Sequence, residues 1–256
     1  MSKHEPKSNI EWKEWGKHDP LFGVAAWQGK QKGGSAPWTD AEFYELGRAD
    51  WAVFEKVWSS YGLDTDACLE IGCGAGRMTM QLARSFRNVV AVDVSEDMIA
   101  YARQRVTAKN VEFQAINGTS LPCEDNSMSA VFSTHVFQHF DSLEYADLYF
   151  TEISRSLKPG STLMIHLPVF EWHPRTPGLS RLIFGFSEWL YSLRIGLNRL
   201  LIRMGIQRSL MRILVFPMEH LAKTLSRLGF TDIQVRVLVN PGDHARIPFV
   251  MARKGN

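Results

Sequence analysis

The sequence predicts an α/β fold in which a doubly wound sheet of seven strands is mostly parallel and ends in an antiparallel hairpin. Short apolar strands alternate with helices from Ala67 to Leu167, and repeated strand–helix units form a parallel sheet with helices on both faces. A glycine-rich turn joins the first strand to the first helix of this series. Residues 218–256 then predict one helix and two paired strands.

The N-terminal part, residues 1–62, is predicted to form a cap. Residues 1–40 contain four tryptophans among several prolines and glycines, and we expect irregular structure there. Because burying an indole ring is favourable, we expect this arm to pack across the main domain and to close over its ligand site. Apolar residues at helical spacing predict a helix over Asp40–Tyr61, with Thr39 or Asp40 as its N-cap.

The central block, residues 63–168, supplies five strands. The predicted strands are Ala67–Gly72, Asn88–Val94, Val111–Ile116, Ser129–His135 and Thr162–Leu167. The predicted helices are Gly76–Phe86, a helix that Ser95 caps and that runs to Val106, and Leu143–Leu157, which a Lys-Pro-Gly stop signal follows. We expect right-handed crossovers between the parallel strands.

The strand–helix alternation is interrupted by residues 169–217, which are predicted to be a helical insert. After it, Met218–Leu228 predicts a helix. The segments Asp232–Val239 and Ile247–Arg253 predict strands, and the Asn-Pro-Gly turn between them indicates an antiparallel hairpin.

Composition and charge exclude several classes of protein. Apolar residues make up 45% of the chain and charged residues 22%, as in ordinary globular domains. A formal net charge of +2 gives no electrostatic reason to expect a nucleic acid partner. The three cysteines lack CxxC spacing, so we expect free thiols in a reducing cytoplasm rather than a zinc site or a disulfide framework. The N-terminal segment lacks the apolar stretch of a signal peptide, which also predicts a cytoplasmic protein.

The main signal for function is the run Leu69–Gly76, with the sequence LEIGCGAG, between a predicted strand and a predicted helix. In an open parallel sheet, the ligand crevice lies at the carboxyl ends of the strands. Gly72 and Gly74 allow a sharp turn and leave room for a ligand against the backbone. The positive N-terminal end of the following helix suits a carboxylate.

The spacing of the glycines separates two classes of cofactor. A dinucleotide fingerprint, GxGxxG, would place its third glycine at position 77, where Arg77 stands, whereas the third glycine here is Gly76. This register disfavours an NAD-dependent oxidoreductase. Asp93 ends the second strand about twenty residues after Gly72, where an acidic side chain accepts hydrogen bonds from ribose hydroxyls.

Four segments carry a family resemblance. They are CLEIGCGAGRMTMQLAR (68–84), VVAVDVSEDMIAYAR (89–103), FSTHVFQHF (132–140) and LKPGSTLMIHLP (157–168). In this order they resemble the class I S-adenosylmethionine-dependent methyltransferases that act on small molecules. The resemblance is detailed over residues 63–168 and holds in outline over residues 218–256. It implies a Rossmann-like fold, S-adenosyl-L-methionine as cofactor and S-adenosyl-L-homocysteine as product. The sequence itself shows no constellation of metal ligands, so no metal is expected.

The resemblance also implies a role for individual residues around the cofactor. The methionine portion would contact Glu70, Gly72, Cys73, Gly74 and Gly76. The ribose would bind Asp93, and the adenine would lie beside Val94, Met98, Asn117, Gly118 and Thr119. Asn117 stands where the family often has an acidic residue. Ser133, Thr134 and His135 would lie below the sulfonium. Arg48 is a further candidate, as a partner for the methionine carboxylate.

Methyl transfer is an in-line displacement that needs alignment and a deprotonated nucleophile. His135 and His139 follow the fourth strand and are the candidate catalytic bases, because an imidazole can take a proton near neutral pH. Two alternatives stay open: His139 packs beneath the cofactor, or no base is used. His166, Glu171 and His173 are candidate substrate contacts. The carboxylate cluster of the magnesium-dependent type is not found in the sequence.

The expected activity is methylation of a small-molecule or lipid-linked acceptor, most readily at oxygen. The alternative from another class is a catalytically silent subunit that binds the cofactor and supports a partner. An intact glycine loop argues against this alternative, because a silent copy has no need of the cofactor contacts.

The insert leaves three interpretations of substrate binding open. It carries seven arginines and two acidic residues on a largely apolar segment. Residues 178–215 would lie on an anionic membrane surface, which would make the protein peripheral at the membrane. In the second interpretation, the same residues form a lid over an apolar or acidic acceptor. In the third interpretation, a helical hairpin packs against its own domain or against the second subunit of a homodimer.

Overall fold

The computed structural model describes residues 5–170, 213–239, 241 and 244–255. Its helices are α1 (Lys7–His18), α2 (Pro20–Val24), α3 (Asp40–Tyr61), α4 (Thr79–Ser85), α5 (Glu96–Arg105), α6 (Leu143–Ser156) and α7 (Met218–Arg227). Its strands are β1 (Ala67–Ile71), β2 (Asn88–Asp93), β3 (Val111–Ala115), β4 (Met128–Ser133), β5 (Leu157–His166), β6 (Val169–Phe170), β7 (Phe216–Pro217), β8 (Phe230–Val239) and β9 (Arg246–Lys254).

Seven strands form one sheet in the order β3-β2-β1-β4-β5-β9-β8. The pairs from β3 to β5 are parallel, whereas β9 runs antiparallel to both β5 and β8. This arrangement confirms the predicted Rossmann-like, doubly wound sheet with its C-terminal hairpin. The chain winds outward from β1 to β3 on one side and continues from β4 on the other, so the strand order reverses between β1 and β4. A ligand crevice is expected at such a switch point.

Apolar side chains pack against both faces of the sheet. On one face, Trp51, Phe54 and Trp58 of α3 are buried against the central strands, and the Trp58 indole N–H donates to Thr162 Oγ1 at 2.9 Å. On the other face, α6 and α7 bury apolar side chains against the sheet. All six residues of β4 are buried, which fixes the strand that leads into the site.

Helix α3 begins and ends where its sequence predicts. Thr39 and Glu42 form a capping box, in which each side chain binds the backbone N–H of the other residue. Gly62 adopts a left-handed conformation and ends the helix.

The prediction that residues 1–40 are irregular was wrong for α1 and α2. The start of α2 has a local sequence signal, because Asp19 is its N-cap and Pro20 occupies its first position. Helix α1 lacks a side-chain cap of its own, and Asp141, which is distant in sequence, binds its first N–H groups instead. This tertiary contact is invisible to local sequence patterns.

Two element boundaries differ from the prediction by three residues or more, and the others that differ do so by one or two residues. Helix α4 begins at Thr79 rather than at Gly76, because Gly76 has φ +83° and is outside the helical region. Strand β5 begins at Leu157 rather than at Thr162, because Leu157 pairs with Met128 ahead of a register shift in β4.

The ends of the predicted insert are strands, not helices. Residues 169–170 (β6) pair in parallel with residues 216–217 (β7), and the Phe216 N–H donates to the carbonyl of Pro168 at 2.7 Å. The prediction for residues 171–212, and the membrane, lid and dimer interpretations that depend on it, lie outside the described residues. So does most of the turn at 240–242. Within the described parts of the chain, no helix is long and apolar enough to cross a membrane.

Candidate active site

A cavity of about 330 Å³ opens at the carboxyl ends of β1, β2 and β4, beneath the N-terminal arm. Its floor comes from the loops after these strands, and its roof from α1, α2 and the segment that follows. The residues of the roof that line it are Ser8, Asn9, Trp12 and the run from Gly23 to Trp27. Trp12 and Trp27 of the tryptophan-rich arm thus line this cavity, and closure of the arm over a bound ligand stays a prediction.

The glycine loop brings bare backbone to the cavity. Gly72, Gly74 and Gly76 all have positive φ. A Cβ on Gly72 would lie 2.2 Å from Val136, and one on Gly74 would lie 2.7 Å from Val24. Gly76 lies instead against α5, where a Cβ would be 3.0 Å from that of Ala102. Gly72 and Gly74 thus shape the cavity, and Gly76 permits close packing of helix on strand.

Asp93 connects the glycine loop to the start of α5. Its carboxylate accepts the N–H of Gly74 at 2.8 Å and the N–H of Ser95 at 2.9 Å, and it lines the cavity. Burial raises the pKa of Asp93, and the backbone hydrogen bonds from Ser95 and Gly74 oppose that rise. A carboxylate offers about four lone-pair sites, so Asp93 keeps some capacity to accept a hydrogen bond from a ligand.

The residues predicted to surround an adenine separate into two groups. Val94 and Met98 line the cavity together with Ile116. Asn117 lines a neighbouring depression instead, and Gly118 and Thr119 are not among the residues that line either one. The carbonyl of Gly118 instead accepts the hydroxyl of Tyr149 at 3.0 Å.

Several predicted methionine contacts lie behind the cavity wall. Glu70 is buried and accepts the Thr79 hydroxyl at 2.6 Å, and burial raises its pKa to about 8. Burial likewise raises the pKa of the Cys73 thiol. The Ser133 hydroxyl donates to the carbonyl of Ile71 at 2.8 Å. For these residues, direct contact with the cofactor stays a prediction.

The turn after β4 supplies the polar groups at the other end of the cavity. Thr134, His135, Gln138 and His139 all line it. The Thr134 hydroxyl is buried and has no hydrogen-bond partner among the described residues. His135 has φ +58°, an unusual backbone conformation for a residue other than glycine.

Histidines contact one another in this region. The rings of His135 and His166 meet edge to face with their centroids 4.6 Å apart. Burial lowers the pKa of His135 well below its ordinary value, and the nearby His166, Arg77 and His139 lower it further. Burial, with a smaller contribution from His139, lowers the pKa of His166 to about 4. Both imidazoles are therefore neutral near pH 7.

His139 contacts the arm as well as the cavity. Its ring packs edge to face on Trp12 with the centroids 5.1 Å apart, and its Nε2 lies 2.9 Å from the side-chain nitrogen of Gln138. These contacts accord with the packing alternative for His139. Its role as a base stays a prediction.

A buried ion pair at the cavity was not predicted from the sequence. Arg77 and Asp50 are each less than 5% exposed, both line the cavity, and a guanidinium nitrogen of Arg77 binds the carboxylate. Arg48, the predicted carboxylate ligand, is exposed, pairs with Glu45 and is absent from the lining. Gly47 was a usable signal, because a glycine inside a helix often marks a close approach, here to the backbone of Arg77.

The arm is fixed to the turn that carries the histidines. The carboxylate of Asp141 accepts the N–H of Lys7 at 2.7 Å and that of Ser8 at 3.2 Å. It thus caps α1, whose residues roof the cavity. Among the residues that the structure describes, no group of three or more His, Cys, Asp or Glu side chains is arranged to hold a metal ion.

Residues 69–165 match a family model described as a methyltransferase domain. The chain is 30% identical over 125 residues to a fatty-acid O-methyltransferase of Mycolicibacterium smegmatis, covering 47% of this chain and 43% of that protein. It is 38% identical over 78 residues to a malonyl-[acyl-carrier protein] O-methyltransferase of Bacillus cereus, covering 30% of this chain and 29% of that protein. The chain thus matches less than half the length of these relatives.

The fold is similar to that of phosphoethanolamine N-methyltransferase 1 from Haemonchus contortus, solved with phosphoethanolamine and S-adenosylhomocysteine. The TM-score is 0.60 over 97% of this chain and 48% of that one, at 15% sequence identity. The domain match and the sequence relatives identify residues 69–165 as a methyltransferase domain of the class I S-adenosylmethionine-dependent type.

Proposed function

We propose that this protein transfers a methyl group from S-adenosylmethionine to an oxygen atom of a small or lipid-linked acceptor. The main observation behind this proposal is the glycine loop. Gly72 and Gly74 present bare backbone to a cavity that Asp93 and the turn after β4 also face. An open α/β sheet binds its ligand at this position. The family match over residues 69–165 supports the same cofactor.

The lining residues fit the parts of the cofactor. Asp93 suits the ribose hydroxyls, and the apolar surface of Val94 and Met98 suits the adenine. Arg77 has an Nε–H without a partner among the described residues, and such a donor on a cation suits the methionine carboxylate. When bound, S-adenosylmethionine supplies the methyl group and a sulfonium leaving group.

The protonation states favour an acceptor that arrives already ionised. The lowered pKa values of His135 and His166 make both imidazoles weak bases. The lining carboxylates are engaged, Asp93 by backbone N–H groups and Asp50 by Arg77. Taking a proton from an alcohol or a phenol would be strongly uphill for these four side chains, which leaves His139 as the candidate base for such an acceptor. A carboxylate, by contrast, needs no base at neutral pH.

We infer that the acceptor is a carboxylic acid with an apolar tail. The neutral imidazole of His135 and the hydroxyl of Thr134 can donate hydrogen bonds to an acceptor carboxylate. Trp12, Phe140 and Ile213 offer apolar wall. The relatives named for fatty acids and for a malonyl group support this class, because both compounds carry a carboxylate. His135 thus acts as a hydrogen-bond donor rather than as a general base.

The test is an assay with S-adenosylmethionine labelled at its methyl group and three acceptors of equal chain length: decanoic acid, decanol and decylamine. We expect label in the methyl ester of the acid alone. Transfer to the alcohol or the amine in preference to the acid would refute the acid proposal. Binding of S-adenosylmethionine without transfer to any acceptor class would favour the silent-subunit alternative.

A further inference from the structure

His135 has a backbone conformation that the strand before it does not dictate. Strand β4 ends at Ser133, whose partner in β5 is Ile165, and two residues later the chain turns through φ +58°. A side chain at such a φ is disfavoured unless surrounding contacts hold it. This turn directs the residue to the cavity, because His135 is one of its lining residues.

One of these contacts comes from His166. The backbone N–H of His135 donates to His166 Nδ1 at 3.3 Å. A side chain thus provides the acceptor just after the β4–β5 pairing ends. The two rings also meet edge to face, so the same side chain contacts both the backbone and the imidazole of His135.

His166 is itself firmly placed. It is the last residue of β5, pairs with Phe249 of β9, and is 5% exposed. Its ring also packs against that of Phe249 at 5.7 Å. Because Nδ1 accepts a hydrogen bond, the ring proton lies on Nε2, and the low pKa keeps Nδ1 free of a proton at neutral pH.

We propose that His166 is a positioning residue for methyl transfer: its Nδ1 holds the left-handed turn at His135, so that the His135 imidazole faces the acceptor. This inference rests on the proposed function, in which His135 donates a hydrogen bond to the acceptor. His166 is absent from the cavity lining, so it acts through His135 rather than by touching either substrate.

The test compares three substitutions of His166 that differ in where they place an acceptor. His166→Asn places its amide near the position of Nδ1, His166→Gln places it near Nε2, and His166→Leu fills the space without an acceptor. We expect kcat to fall about 100-fold in the Leu and Gln variants, as misplacement of a catalytic group does, and to remain within about threefold in the Asn variant. The KM for S-adenosylmethionine should not change. Equal losses in the Asn and Gln variants would overturn the proposal.

A double-mutant cycle with His135→Ala separates positioning from general stability. If His166 acts through His135, adding His166→Leu to His135→Ala should cause no further loss of kcat. Independent losses that multiply would overturn the proposal, and so would a His135→Ala variant that keeps full activity.

Hydrogen exchange at the His135 amide gives a readout that does not require turnover. We expect the amide to be protected in the wild type and in His166→Asn, and to exchange faster in His166→Leu. Unchanged exchange in the Leu variant would refute the hydrogen bond. A wild type that binds the cofactor but methylates no acid would refute the proposed function. The exchange measurement would still decide whether His166 holds the turn at His135.

Discussion

Asp93 links the parts of the site at the residue scale, because its carboxylate holds both the glycine loop and the start of α5 while facing the cavity. We expect Asp93→Asn to weaken binding of S-adenosylhomocysteine about tenfold to a hundredfold, the loss that goes with a charged hydrogen bond. Calorimetry measures this affinity. Asp125→Asn, an exposed change that lies outside the cavity lining, is the matched control and should bind as the wild type does. Equal affinity in the two variants would exclude the ribose role.

Arg77 is predicted to bind the methionine carboxylate. The ligand 5′-methylthioadenosine lacks the amino-acid portion of the cofactor and therefore isolates this contact. In Arg77→Gln we expect affinity for S-adenosylhomocysteine to fall at least tenfold and affinity for 5′-methylthioadenosine to stay within about twofold, since a hydrogen bond between charged groups contributes about 1.5–3 kcal/mol. An equal loss of affinity for both ligands would instead show that Arg77 has only a structural role, as the partner of Asp50.

Glu70 predicts a pH dependence of stability in the ligand-free protein. Its folded-state pKa of about 8 lies above the ordinary value of 4.5, mainly through burial. The neutral side chain therefore favours the folded state fully below pH 4.5, and that contribution is lost as pH rises toward 8. Glu70→Gln keeps an acceptor for Thr79 and does not titrate. We expect the difference in Tm, variant minus wild type, to become more positive as the pH rises from 5 to 8. A difference that does not change with pH would contradict this prediction.

At the scale of elements, α1 depends on the turn after β4 for its cap. Asp141→Ala leaves the Lys7 and Ser8 N–H groups without this partner, and loss of a cap costs about 1 kcal/mol. Because α1 roofs the cavity, we expect a lower Tm and faster release of S-adenosylhomocysteine. Stopped-flow tryptophan fluorescence, with Trp12 as a reporter in the cavity, measures that rate. Asp141→Asn keeps an acceptor and should release the product more slowly than the Ala variant. Identical release from the wild type and the Ala variant would show that the cap does not control access.

The elements with local signals were predicted well from the sequence. The capping box of α3, the glycine loop and the C-terminal hairpin each depend on residues that are close together in the chain. Helix α1 was missed because its cap, Asp141, is 133 and 134 residues away from the groups that it binds. Asp50 was missed for a similar reason, since only the packing of α3 on the loop before α4 brings it to Arg77.

At the scale of the whole molecule, the sheet order determines which residues meet. The reversal between β1 and β4 brings the glycine loop, Asp93 and the turn after β4 to one cavity, and the antiparallel β9 holds β5 so that His166 lies beside that turn. Periodicity and turn signals predicted a doubly wound, mostly parallel sheet with a C-terminal hairpin, but not the order of its strands. They did not predict the protonation states of the histidines, because these depend on burial and on neighbours from several strands.

The central claim is that the cavity binds S-adenosylmethionine. Calorimetric titration of the purified chain with S-adenosylhomocysteine and, separately, with NAD tests it most directly. We predict saturable binding of S-adenosylhomocysteine at one site per chain and no binding of NAD, because Arg77 stands where the dinucleotide fingerprint needs glycine. Binding of NAD without binding of S-adenosylhomocysteine would contradict the claim.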